Sequence, residues 1–156
     1  MMKVSEVDPD VNTGVLLAGA QFVDAYSIAI DNGALDARQA AEQMMGHSPR
    51  WVEALLKLRN LLVTPFGLKT SAPSEAPDVI GLFPVLSQTP DRLIAGFNDS
   101  HLDFRVVVDV VRSGSSQSVT ATTLVLTHNW LGRAYLAIIL PFHRLIVPSM
   151  LRQVAA

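Results

Sequence analysis

His101-Leu102-Asp103-Phe104-Arg105-Val106-Val107-Val108-Asp109-Val110-Val111 runs into Ser113-Gly114-Ser115-Ser116 and then into a Thr/Val-rich stretch, Ser118 to Asn129. Two long β-prone runs joined by a hairpin-sized turn predict an antiparallel pair. Directly after them, from Trp130 onward, comes a long run of apolar residues broken only by a narrow polar stripe holding Arg133 and Arg144. Asn129 is a suitable N-cap for a helix there, and Pro141 predicts a kink within it. A helix that is apolar nearly all round should be buried nearly all round. The expected arrangement is therefore a final helix lying in the concavity of a curved sheet, either filled with side chains or leaving a ligand cavity.

Working outward, Phe22, Tyr26, Ile28 and Ile30 fall on alternate positions between Ala20 and Ile30, the period of a strand. Asp36 and Gln39 form the pattern of a capping box, predicting a short helix through Met45 that Gly46 ends. Ser48-Pro49 then predicts a second helix, with Val52, Leu55, Leu56, Leu58 and Leu62 at helical spacing. Beyond a polar, proline-bearing loop at 71–77, strands are expected at Val79 to Leu86, Arg92 to Phe97, His101 to Arg112 and Ser118 to Asn129. The breaks between them are short enough for a meander. Strand, two short helices, antiparallel meander and long helix define an α+β fold.

The composition narrows the functions. The 156 residues make one domain, with its core at about 15–152. Hydrophobic residues are 49% of the chain and charged residues 17%, below the usual quarter or so. There are no cysteines, which removes disulfides, thiolate nucleophiles and cysteine-ligated metals. Residues 1–10 have no secretory h-region, and no uncharged apolar run is long enough to cross a membrane. The cytoplasm is the default location. A net charge of −2 argues against nucleic acid as a partner. The charge is unevenly spread, with six acids in residues 1–36 and three arginines but no acid in residues 129–156.

Several motifs together resemble the DUF2867 family of bacterial proteins. They are Trp51-Val52-Glu53-Ala54-Leu55-Leu56-Lys57-Leu58-Arg59-Asn60, Pro65-Phe66-Gly67-Leu68, Phe83-Pro84-Val85, His101-Leu102-Asp103-Phe104-Arg105, Thr127-His128-Asn129 and Pro141-Phe142-His143-Arg144. The resemblance spans about residues 15–152. It implies a helix-grip architecture of the START and Bet v 1 kind, a curved antiparallel sheet wrapped around the C-terminal helix. Some relatives carry the domain after a reductase-like nucleotide-binding domain. This chain has no glycine-rich dinucleotide fingerprint, so no cofactor is carried over.

Alternation along 101–111 places Leu102, Phe104, Val106, Val108 and Val110 on a face toward the helices. His101, Asp103, Arg105 and Asp109 take the other, where a solvated cross-strand ion pair is the plain expectation. The alternative is a cavity mouth, with Arg105 clamping a ligand carboxylate and Asp103 orienting His101. His128, at the strand–helix junction, is expected to bond to backbone, or else to serve as an acid or base inside a cavity beside Tyr26 or Tyr135. His143 and Arg144 are expected to be solvated or to cap carbonyls. No metal site is expected, since His101 and Asp103 lack a third ligand at diagnostic spacing.

The leading expectation is a domain that binds an apolar small molecule in a cavity lined by Phe22, Tyr26, Trp51, Phe104, Tyr135 and Phe142, with Arg105 available to a polar group. An enzyme of cyclase, hydratase or isomerase type using His128, His101 or Asp103 is the first alternative. An interaction module for a reductase-like partner is the second, and a homodimer through the apolar helix also stays open.

Overall fold

The computed structural model describes residues 4–9, 16–31, 34–46, 79–80, 83–98 and 102–155. The expected second helix, together with Trp51 and His101, lies outside the described residues. Among these residues the strands are β1 (Ser5–Val7), β2 (Phe22–Asp31), β3 (Val79–Ile80), β4 (Phe83–Gln88), β5 (Arg92–Asn98), β6 (Leu102–Ser113) and β7 (Ser116–Thr127). The helices are α1 (Ala37–Gly46) and α2 (Trp130–Arg152), the latter followed by a 3-10 turn at Gln153–Ala155. The fold is α+β, as expected.

All neighbouring strands are antiparallel, in the order β1-β2-β7-β6-β5-β4-β3. The hairpin of β6 and β7 is the centre of this sheet. Its turn is closed by the Ser113–Ser116 pair, and Gly114 takes the left-handed φ of +63° that a two-residue hairpin turn needs. Two details differ from expectation. The stretch Val79 to Leu86 is divided between β3 and β4, which pair with each other, and β1 adds an edge strand of three residues, too short for alternation to announce.

Register settles which residues share a face. Phe22, Asp24, Tyr26 and Ile28 of β2 stand opposite Val125, Thr123, Ala121 and Val119 of β7, which in turn stand opposite Phe104, Val106, Val108 and Val110 of β6. Both helices cover this face. Ala37, Ala40, Ala41 and Met44 of α1, with Leu151 and Val154 at the end of the chain, join Tyr26, Ile28, Leu93, Val106, Val108 and Val119 in one core cluster. Small alanines let α1 approach the sheet closely. A second cluster on the opposite face joins Leu17, Val107 and Leu124.

Local chemistry holds these elements in place. The capping box forms as predicted: the Asp36 amide donates to Gln39 Oε1 at 3.0 Å and the Gln39 amide to Asp36 Oδ1 at 2.7 Å. Gln117, 2% exposed, clasps the entry to α1 by accepting from the Leu35 amide at 3.1 Å and donating to the Leu35 carbonyl at 2.6 Å. Asn129 caps α2 by accepting from the Gly132 amide at 3.0 Å. The axis of α2 bends by 54° between Trp130–Ile138 and Leu140–Arg152. Pro141 explains the bend, because it has no amide proton for the carbonyl four residues earlier and its ring crowds that carbonyl.

One expectation about α2 is overturned. Trp130 is 74% exposed, Ile138 59% and Leu145 60%, so the helix is not buried nearly all round. Because it lies against one face of an open sheet, a single stripe of its surface is packed and the opposite stripe stays in solvent.

Candidate functional site

The face of β2 under α2 reads Phe22, Asp24, Tyr26, Ile28, Ile30, with one charged residue among large apolar ones. A carboxylate there loses most of its water, and the loss must be offset by partners. Asp24 is buried, and both of its carboxylate oxygens lie 3.1 Å from Nε2 of His143 on α2. The side chains of the pair retain 9% and 14% of their exposure. Phe22 meets the His143 ring edge-to-face, with centroids 5.8 Å apart and planes at 84°. The expectation that His143 is solvated or capping is therefore wrong. Its side chain turns inward because the exposed stripe of α2 is taken by Trp130, Ile138, Arg144 and Leu145.

This geometry has a chemical consequence. An ionised carboxylate only accepts, so His143 Nε2 is the donor and the imidazole is oriented by Asp24. The described residues give Nδ1 no hydrogen bond. It is the free end of an oriented ring, able to accept from a ligand in the neutral form or donate to one when protonated.

Tyr26, one alternate position along β2, is 8% exposed. Burial pushes its phenol above the ordinary value of 10.0, the Asp24 and Glu6 carboxylates add to that, and the Arg144 guanidinium opposes it. Glu6 stands opposite Tyr26 in the β1–β2 register. The phenol stays protonated at neutral pH and is available as a donor.

Packing between the sheet and the helices is uneven. Ile28 is 1% exposed, and Val108, Val119, Leu93 and Leu151 are 0%. Phe22, Phe104 and Phe142 are half-buried, although Val125, which stands between Phe22 and Phe104 in register, is buried. Asp24 stands between Phe22 and Tyr26 on this face.

The other proposed site residues divide between the two sides of the sheet. Tyr26 and Phe104 belong to the helix-covered face, where they join the same cluster, and Phe142 directly precedes His143 on α2. Tyr135 falls in the first half of α2. Arg105 is on the opposite face, and its Nη1 donates to the Phe104 carbonyl at 2.9 Å. Asp103 is there too, 2.9 Å from His128 Nε2, with side-chain exposures of 15% and 39%. His128 thus meets a carboxylate where backbone was expected. A cross-strand ion pair does form on this face, but between Arg92 and Asp109, directly opposite in register, at 2.6 Å. Among the described residues no group of three or more potential ligands could hold a metal ion.

The described residues make an antiparallel α+β domain whose last helix supplies half of a buried Asp–His pair. The chain belongs to the DUF2867 family, described as a protein of unknown function, whose model matches residues 16–150. No curated protein and no solved structure matches the chain. Among the described residues no single helix is long and apolar enough to cross a membrane; the halves of α2 reach that measure only together, across the 54° bend.

Proposed function

We propose that this chain is a small-molecule-binding domain of helix-grip, START/Bet v 1-like architecture, taking a mainly apolar ligand between the sheet and α2. The observation that carries the reading is an oriented polar group among half-buried aromatics: His143, held by Asp24, lies edge-to-face against Phe22, and Phe22, Phe104 and Phe142 are half-buried. Ligand pockets pair such apolar walls with a few polar groups that fix orientation. Here those groups are His143 Nδ1 and the Tyr26 hydroxyl. Native mass spectrometry of protein isolated from cells tests the proposal. A discrete non-covalent mass should accompany the wild type, and Phe22→Ala/Phe104→Ala, which removes two of the half-buried aromatic walls, should weaken or abolish it. Protein that carries no adduct, and gains none when offered hydrophobic extracts, would refute the reading.

One observation favours a second reading, an isomerase- or hydratase-type enzyme. An imidazole oriented by a carboxylate with its other nitrogen free is the arrangement of a general base. In that case His143→Gln abolishes conversion of the bound compound while leaving it bound. In the first reading nothing is converted by either protein.

A further inference from the structure

We propose that the exposed face of α2 is an interfacial surface that adsorbs the domain to an anionic lipid bilayer. The starting point is an imbalance. Trp130, Ile138 and Leu145 are 74%, 59% and 60% exposed, whereas large side chains of these types are usually covered. At 100° per residue Trp130 and Ile138 share an arc of roughly 140° with Arg133 on the first half of α2, and Leu145 shares one of roughly 100° with Arg144 and Arg152 on the second, the arginines all exposed. On each half an arginine takes one side of the arc, Arg133 then Arg144, and an aliphatic residue the other, Ile138 then Leu145. None of the three arginines makes an ion pair among the described residues.

The charge pattern selects the occupant. Residues 129–156 contain no acid, so a second copy packing isologously through this stripe would set arginine against arginine with nothing to neutralise either. A lipid surface makes the opposite demand. Anionic headgroups attract the guanidinium groups, whose stems reach up from a helix lying in the interface, while Trp, Ile and Leu enter the acyl boundary. Across the 54° bend the stripe continues on two shorter faces, about 14 Å long over Trp130–Ile138 and about 20 Å over Leu140–Arg152. Glu6 and Asp24 act on Tyr26 at the sheet, where the Arg144 guanidinium opposes them. With three arginines and no acid of its own, α2 is positive although the whole chain carries −2.

Co-sedimentation with vesicles of phosphatidylcholine alone, and with phosphatidylserine added, tests the proposal. Binding should require phosphatidylserine and weaken with salt. Arg133→Gln/Arg144→Gln should lose about 25-fold in affinity, taking each arginine near the surface as worth about fivefold. Trp130→Ala should weaken binding without changing the salt dependence. All of these positions are exposed, so circular dichroism should be unchanged. Equal sedimentation with both vesicle types, or with wild type and the double-arginine variant, overturns the proposal. So does a wild-type dimer by light scattering that Trp130→Ala converts to monomer, because a second copy would then be what covers the stripe.

Discussion

Replacing His143 by Phe keeps the aromatic packing against Phe22 and strands the Asp24 carboxylate beneath α2. The bond removed is a single N–H shared between two oxygens at 3.1 Å, a hydrogen bond to a charged group worth about 1.5–3 kcal/mol. The carboxylate left behind is 9% exposed, and breaking a buried pair from one side costs about 3–5 kcal/mol in total. Because a little water still reaches both partners, the lower end is the better figure, about 3 kcal/mol. For a domain of this size that lowers Tm by about 6–12 °C. Asp24→Val/His143→Phe removes both polar groups together and should cost no more than about 1 kcal/mol, since no charge is stranded. The singles and the double therefore form a cycle with a coupling of at least about 2 kcal/mol. Urea unfolding followed by circular dichroism at neutral pH measures all three. A cost below about 1 kcal/mol for His143→Phe, or singles that simply add up to the double, would refute the argument that this pair is a desolvated link between sheet and helix.

Two further outcomes follow from single positions. Gly96 has φ of +152°, and an added Cβ would stand 2.1 Å from the Phe104 carbonyl oxygen, so Gly96→Ala should cost on the order of 3 kcal/mol or more. Gly114→Ala, with φ of +63° but open space around it, should cost only about 1–2 kcal/mol; thermal melts that rank the two variants the other way would contradict this. Tyr26 supplies a pH dependence, since its phenol is held above 10.0 in the folded chain. The unfolded chain then loses that proton first, the folded state binds more protons above about pH 10, and stability falls as pH rises through the folded value. Urea midpoints of wild type and Tyr26→Phe should run parallel below about pH 9 and converge or cross above pH 10, with wild type losing stability faster; parallel midpoints throughout would count against it.

Much of this fold was legible from local pattern, and the reason is physical. Strand alternation in 101–111 and 20–30, the Asp36/Gln39 capping box, the Asn129 cap and the Pro141 bend all depend on chemistry within a few residues of chain. The family and the α+β class followed from the order of those pieces. One signal for the site was also present, since Asp24 is the single charge on the apolar face of β2 and a charge so placed needs a partner.

Which partner it has was not legible. His143 is 119 residues away, and only the pairing of β2 with β7 brings the start of β2 beneath α2. His101, Asp103 and Arg105 attract attention by being close in sequence, yet the sheet separates Asp103 and Arg105 from Tyr26 and Phe104. The exposed stripe of α2 was likewise beyond composition. The sequence alone determines that the helix is apolar on nearly every side. Tertiary structure decides which side is covered, because α2 packs against the sheet along one stripe only, leaving Trp130, Ile138 and Leu145 in solvent and turning His143 inward to Asp24.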